Sequence, residues 1–450
     1  MNLPTCLGGE HPPEGKALTE NKPVEILKPD DPREFVYPLS QHIGAPCSPV
    51  VAKGDAVLAG QKIADTEAFV SAPIFSAVSG KVKAVEPRMT FTGSVDPCIV
   101  IESDGLYSPA PSLLDELGRK PEPSDYVKLI RSAGIVGLGG ACFPTHVKLS
   151  PAKDKPIDYI IVNAAECEPY LNCDNRLMLE SPDEVLKGLG FVLEVFPNAQ
   201  GIVGIESNKQ EAIRIMTEHN KNPRIRVMPL KVKYPQGAEK MLIYSITGRE
   251  VPLVPALPAD AGCIVLNTRT TWQIWAVIEK GLPVTERIVS VTGDAVAEPK
   301  NLQVPLGLSC RELINACGGF TEEPVKVISG GPMMGIAMRN LDVPVVKGSS
   351  GILALTKKSA YLAEESACIR CGKCVEVCPM HLEPTTLDHF VRRREYSDFE
   401  AHGGMNCIEC GSCAFTCPAS RHLVQSYKDG KAAVNAARRK AAAQAKAKAS

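Results

Sequence analysis

Eight of the seventeen cysteines fall into two runs with one spacing. Cys368, Cys371, Cys374 and Cys378 precede Pro379, and Cys407, Cys410, Cys413 and Cys417 precede Pro418, so each run reads C-x2-C-x2-C-x3-C-P. Spacing by three winds a loop around one face of an iron–sulfur cube and offers it three thiolates. A structural zinc site uses paired C-x2-C knuckles and four ligands in all, which two Cys-Pro-ended runs of four fit poorly. The residue types therefore specify two 4Fe–4S clusters. Gly372 and Gly411 let the backbone approach the sulfides. His381, His389 and His402 read as surface residues, since neither run lacks a thiolate.

Two further motifs could hold a flat or phosphorylated ligand. The loop G-L-G-G-A-C-F-P-T-H-V-K spans Gly137 to Lys148. Gly137, Gly139 and Gly140 remove side chains where backbone must approach a phosphate or a ring, and Lys148 supplies charge. N-A-A-E-C-E-P-Y, Asn163 to Tyr170, follows the apolar run Y-I-I-V-N and places two carboxylates and an amide at a strand's C-terminal end, where α/β folds bind ligands.

The elements that must position these groups alternate along the chain. Short runs punctuated by Gly and Pro over 1–110 read as strands of a small β barrel-sandwich module. V-x-x-G-D-x-V-x-x-G-Q and S-A-P-I-F-S-A-V-S-G-K-V there are similar to lipoyl and biotinyl domains, but the tip Ala64–Ser71 has no attachment Lys, so the module reads as structural. Residues 106–123 read as a Pro-rich linker. Helix and strand patterns alternate over 124–283, the α/β signature. Strands return over 284–350 with one helix, S-C-R-E-L-I-N-A-C, and 358–427 hold the cysteine runs. Residues 428–450 carry seven Lys/Arg and one Asp on a chain of net charge −1. That tail has helix-forming residues but no apolar face, and a helix polar all round needs outside support. The near-neutral charge argues against nucleic acid as a partner. No apolar run reaches the ~18 residues of a spanning helix, no leader pattern is evident, and the expected location is the reducing cytosol. Cysteines there are unpaired, so the nine scattered ones read mostly as small buried hydrophobes.

The cysteine runs resemble those of two-cluster bacterial ferredoxins, in which the fourth Cys of each run serves the other cluster. The resemblance implies that Cys368, Cys371, Cys374 and Cys417 hold one cluster, and Cys407, Cys410, Cys413 and Cys378 the other. The Gly-rich loop and N-A-A-E-C-E-P together resemble the flavin- and NADH-binding subunit of respiratory complex I. That likeness implies FMN lined by Gly137, Gly139, Gly140, Phe143 and Lys148, with Asn163 and Glu166 at its ribityl or ring. It gives Glu168 the catalytic position facing the nicotinamide. Q-G-A-E-K-M-L (Gly237, Glu239) and L-N-T-R-T-T-W (Asn267, Thr268, Thr271) extend the match. The chain departs from that pattern at Leu138, His146, Ala165 and Ala238.

In motif order, G-G-E-H-P-P-E-G-K (Gly8–Lys16), Q-H-I-G-A-P (Gln41–Pro46), the Gly-rich loop, G-G-P-M-M-G (Gly330–Gly335) and the cysteine runs resemble the RnfC component of the Rnf complex, an ion-translocating ferredoxin:NAD+ oxidoreductase. The implied fold is multidomain α/β: a β barrel-sandwich (1–110), a Rossmann-like FMN/NAD-binding domain (124–283), a soluble-ligand-binding β-grasp module (284–350), a two-cluster ferredoxin-like helical domain (358–427) and a basic tail (428–450). The implied role is peripheral electron transfer at the cytoplasmic side of the cell membrane. Non-covalent FMN and two 4Fe–4S clusters are the cofactors, NAD(H) the substrate, and membrane-embedded Rnf subunits and a ferredoxin-type donor the partners. Two rivals are a soluble cobalamin reductase of the diol-utilisation type, which shares the flavin and cluster domains, and an electron-wire subunit without a nicotinamide site. The basic tail is expected to meet a membrane or an acidic partner surface.

Overall fold

A computed structural model describes residues 3–449. The N-terminal β module is built from Glu34–Pro38, Val95–Ser103, Gly80–Met89 and Ala56–Val57 in one antiparallel sheet, and Ser48–Pro49, Lys62–Asp65 and Ile74–Phe75 in another. Its strands alternate because every second side chain enters a shared core holding Phe35, Tyr37, Ile63, Ile74, Ile99 and Ile101. The tip expected to lack a cofactor role is an anchor. Arg131 donates to Asp65 Oδ1 and to Thr66 O, and His146 Nε2 lies 2.8 Å from Phe69 O. His146, one of the departures noted above, is thus spent on seating this module.

Residues 4–26, expected within the barrel, leave it. Glu10 bridges Tyr234 in antiparallel fashion, and Val24–Ile26 pairs in parallel with Asn301–Gln303. Lys16 is buried and donates to the backbone oxygens of Glu166 (2.7 Å) and Leu171 (2.5 Å). Gly8 and Gly9 lie against the fourth Cys of the first run: a Cβ on Gly8 meets Cys378 O at 2.9 Å, and Gly9 N donates to Val377 O. The G-G-E-H segment is therefore a strap across two other domains.

The central domain is a parallel sheet in the order Ile225–Leu230, Gln200–Glu206, Tyr159–Ala164, Cys263–Asn267. Its two inner strands, and the centre of Cys263–Asn267, are apolar runs because helices cover both faces. Pro182–Val195 packs on Thr268–Lys280 so closely that a Cβ on Gly188 lies 2.0 Å from Thr271 O. The β-grasp sheet runs Val24–Ile26, Lys300–Pro305, Glu286–Thr292, Gly351–Leu355, Lys326–Ser329, Ile336–Ala337.

The cluster domain is small and helical, with a core of Leu387, Val391, Phe399, Leu423, Tyr427 and Val434. The last three belong to the helix Leu423–Ala449. The tail expected from 428 is thus the outer part of a helix that begins inside this domain, and Tyr427 and Val434 give it the support its polar composition lacks. Residues 435–445 are exposed. Among the described residues no helix is long and apolar enough to cross a membrane.

Candidate functional site

The parallel sheet ends in a cavity of about 940 Å3, at the upper end of the range for ligand pockets. The Gly-rich loop forms its floor. Gly137 N donates to Phe143 O and Cys142 N to Gly137 O, closing a tight turn. Gly140 has φ +115°, a backbone only glycine adopts freely, and a Cβ there points into open space. A Cβ on Gly139 meets Asn267 at 3.1 Å. Two side chains fix this loop from behind. Leu138 N donates to Thr270 Oγ1 at 2.8 Å, and buried Arg287 donates to Leu138 O at 2.6 Å. The Leu138 side chain itself is buried in the core.

Above the floor, Asn163 and Asn267 occupy neighbouring register positions on adjacent strands. Asn163 Nδ2 donates to Gly237 O. Asn267 caps the helix Thr268–Lys280 and donates to Asp174. Lys148 and Glu239 form an ion pair at 2.7 Å. Glu166, at φ +48°, turns its carboxylate onto the amides of Asp174 and Asn175 at the next helix start. Glu168 Oε1 accepts from Met333 N (2.7 Å) and Met334 N (3.1 Å), so this carboxylate anchors the G-G-P-M-M-G loop. Burial pushes its carboxyl above the usual carboxylate range despite those donors. Asp174 is raised as well, by burial and then by neighbouring Glu166.

The cavity gathers Gly137, Gly139, Gly140, Lys148, Asn163, Glu166, Glu168, Gly237, Glu239 and Asn267. Phe143, Thr268 and Thr271 stand behind its wall. Thr268 and Thr271 share the inner face of their helix and donate to Asn163 O and Asn267 O. Thr270, between them, faces the loop instead, and no feature of the run T-R-T-T distinguishes it. Sequence reasoning also missed Arg269, Arg287, Asp174 and Tyr234, together with His42 and the hairpin Thr90–Asp96 from the N-terminal module. Of the scattered cysteines, Cys142, Cys167 and Cys173 line the cavity.

Among the described residues, four cavity-lining side chains keep a buried polar atom without a partner: His42 Nδ1, Thr145 Oγ1, Arg269 Nε and Arg287 Nη1. An unpaired buried polar atom costs about 1–3 kcal/mol. Two guanidiniums, a bare glycine floor and a helix N-terminus suit a planar ligand with a phosphate, and FMN fits that description.

The thiols gather as crossed quartets. Cys378, Cys407, Cys410 and Cys413 surround one small void. Burial, then neighbouring Cys417, Cys368 and Cys371, raise the Cys374 thiol, so these three lie near it, as the crossed assignment expects. No group of His, Cys, Asp and Glu among the described residues is suited to a single ion; a four-iron cube holds its sulfurs further apart than one ion does. Cys368 and Cys371 are exposed, whereas Cys378, Cys410 and Cys413 are buried. Ile408 and Cys410 line both the void and the large cavity, so the two share a wall. Tyr234, also in that wall, donates its hydroxyl to Cys410 O at 2.5 Å. Gly411 (φ +86°) sits under Met333, whose carbonyl oxygen a Cβ would approach to 2.7 Å.

Four family models match the chain: an RnfC barrel sandwich hybrid domain over residues 4–106, a Nuo51 FMN-binding domain over 130–276, an SLBB domain over 288–337 and a 4Fe-4S dicluster domain over 367–421. The chain is 47% identical over 97% of its length to the C component of the Na(+)-translocating ferredoxin:NAD(+) oxidoreductase complex of Acetobacterium woodii, covering 98% of that protein. Identity is 47% to the proton-translocating counterpart of Clostridium ljungdahlii, over 88% of this chain and 86% of that one. It is 42% to the C component of the ion-translocating oxidoreductase complex of Rhodobacter capsulatus, over 94% and 82%. In fold, 71% of the chain resembles an NAD+-reducing [NiFe]-hydrogenase in the H2-reduced state, with a TM-score of 0.50 and 17% identity. The match spans 64% of that chain, less than two thirds.

Proposed function

Because the chain belongs to the RnfC family, the C components of ion-translocating ferredoxin:NAD(+) oxidoreductase complexes, we propose that it carries electrons between a ferredoxin-type donor and NAD+ within such a complex. It carries a flavin domain and a dicluster domain. The shared wall of Ile408 and Cys410 carries this reading, since it brings the flavin-domain cavity against one thiol quartet with no intervening domain. The cobalamin-reductase reading lacks support from the match of residues 4–106 to the RnfC barrel and from the near full-length identity.

FMN, when bound, exchanges two electrons with nicotinamide and passes them on singly. Residues of the chain hold it in place. Gly137, Gly139 and Gly140 give the flat floor. Arg287 and Thr270 keep that floor rigid through Leu138. Arg269 and Thr270, at the helix start, border the side of the cavity suited to the phosphate. Asn163 and Glu166 border the ring or ribityl side, and Lys148 is held by Glu239 and by Val265 O. Tyr234 ties the cavity wall to the backbone of Cys410. The buried quartet of Cys378, Cys407, Cys410 and Cys413 would hold the cluster next to the cavity, and that of Cys368, Cys371, Cys374 and Cys417 the cluster beyond it. The latter has two exposed thiols, and exposed Ile369 and Phe415 adjoin its ligands in the chain, which makes it the end that meets a partner subunit. Peripheral attachment to the membrane-embedded subunits completes the proposal. The test is anaerobic addition of NADH to the purified, cofactor-loaded chain. Bleaching of the flavin absorbance supports the reading, and an unaltered flavin spectrum at millimolar NADH sinks it.

A further inference from the structure

One wall of the cavity comes from the N-terminal module, which on its sequence is a scaffold. Pro38, Ser40, His42 and Ile43 lie on one approach to it, and Thr90, Phe91, Thr92 and Asp96 on another. The first stretch is fixed to the floor itself, since Ile43 N donates to Cys142 O at 3.1 Å. His42 Nε2 accepts from Ala72 N at 3.2 Å, so the ring proton sits on Nδ1. That Nδ1 is buried and has no partner among the described residues. The Nδ1 atom is closed off from the cavity, so His42 contributes surface to its wall through the rest of its ring.

The second stretch is the tip of the hairpin between Gly80–Met89 and Val95–Ser103. Thr90, Thr92 and Ser94 join their hydroxyls at 2.8–3.0 Å, and Ser94 Oγ donates to Asp96 Oδ2 at 2.9 Å. This network orients the carboxylate. Its Oδ1 makes no hydrogen bond among the described residues. Phe91 is half-buried, packed on the module's core while lining the cavity. An aromatic face beside a hydroxyl-braced carboxylate with one free oxygen is the chemistry that recognises a purine nucleoside. The ring stacks on the base, and the carboxylate accepts from ribose hydroxyls.

We propose that the hairpin of the N-terminal module is the adenosine subsite for the dinucleotide: Phe91 stacks on adenine and Asp96 accepts from the ribose diol, excluding a 2′-phosphate. The assignment rests on the reading that NAD(H) is the substrate. Given that reading, the nicotinamide must lie over the ring bordered by Gly139, Gly140 and Asn163, on the central domain. The far half of the dinucleotide then extends along the cavity to the hairpin wall of Thr90–Asp96. A carboxylate at the 2′ position selects NADH over NADPH by like-charge repulsion as well as by hydrogen bonding.

The test uses the chain loaded with FMN and clusters, oxidising NADH or NADPH with ferricyanide as acceptor. Asp96→Asn is expected to raise the KM for NADH about tenfold, as for a charged hydrogen bond. It should lower the NADH-over-NADPH preference by at least as much, a ratio that a merely structural role of Asp96 does not move. Phe91→Ala should raise both KM values together. Flavin content should stay at the wild-type level in both variants, because the hairpin tip is far from the glycine floor in the chain and folds on its own sheet. NADH oxidation by wild type with KM values and cofactor preference unchanged in both variants overturns this inference alone. No NADH oxidation by wild type overturns the underlying reading and this inference with it.

Discussion

Substitution of Gly140 separates two effects that glycine loops usually confound. At φ +115° any L-residue is strained, at about 1–3 kcal/mol. No protein atom lies within 4 Å of a Cβ at this position. The only space a new side chain takes is therefore cavity space. Gly319 supplies the control, with φ +78° and equally open surroundings, but on the β-grasp module away from the cavity lining. Gly319→Ala should cost about 1–2 kcal/mol of stability from backbone strain alone, with flavin content unchanged. Gly140→Ala should cost a similar amount in thermal unfolding and in addition weaken FMN. Forcing one methyl into an occupied, well-packed site costs about 1–3 kcal/mol, so the dissociation constant should rise about 5- to 150-fold. Gly140→Val should leave no flavin after purification while the iron and acid-labile sulfide content holds. The assay is the flavin-to-protein ratio after acid release, alongside thermal unfolding of the apoprotein. A folded Gly140→Val chain with wild-type flavin content and affinity refutes the assignment of the loop as the flavin floor.

Other expectations follow from individual contacts. Cys378→Ala should destroy the cluster of Cys407, Cys410 and Cys413 and spare that of its own run; electron paramagnetic resonance showing the opposite loss disproves the crossed quartets. Glu168→Gln keeps an Oε1 acceptor for Met333 and Met334, so any rise in KM for NADH at constant flavin content reports the lost charge, and unchanged kinetics leave Glu168 as a loop anchor only. His42 is held down to about 4, by burial first and Lys347 second. A histidine kept neutral in the fold loses stability as pH falls, because the unfolded chain takes up its proton near 6.5 and the folded chain does not. Wild type should therefore lose up to about 3 kcal/mol between pH 6.5 and 4 that His42→Gln does not lose, measured as the difference between their urea midpoints. Deleting residues 436–450 should leave the clusters intact, since residues 435–445 are exposed and Lys431, which is kept, bonds Cys407 O. It should reduce retention on anionic membranes at low salt, since basic residues near such a surface contribute about 1 kcal/mol each. Equal retention of the two chains at low salt removes the docking role.

What could be read from the sequence was whatever a short segment encodes. The thiolate spacing depends on a dozen residues, and the barrel, the alternating α/β unit and the glycine floor are each signalled by local period and turn chemistry. What escaped was long-range. Residues 4–26 carry no local signal of where they go, and only long-range contacts, from the Glu10–Tyr234 bridge to the pairing of Val24–Ile26 with a strand some 277 residues onward, reveal the strap. Thr270 is indistinguishable from Thr268 and Thr271 until the helix phase is fixed by Asn267 as its cap. Arg287, His42, Phe91 and Asp96 lie in other domains, and no spacing rule connects them to the glycine loop. Leu138 and His146, departures from the flavin pattern, are explained by burial and by docking of the N-terminal module.

The central claim is that the cavity floored by Gly137–Cys142 exchanges electrons with the thiol quartet that includes Cys410. Its most direct measurement starts from the cofactor-loaded chain reduced at both clusters, freed of excess reductant and mixed anaerobically with NAD+. Two cluster electrons and one proton convert one NAD+ to NADH. The account predicts NADH absorbance rising at half the rate at which cluster electrons disappear, and loss of that rise in Cys378→Ala chains that retain flavin. NADH formed without cluster oxidation, or formed as fast when the Cys378, Cys407, Cys410 and Cys413 quartet is broken, contradicts it.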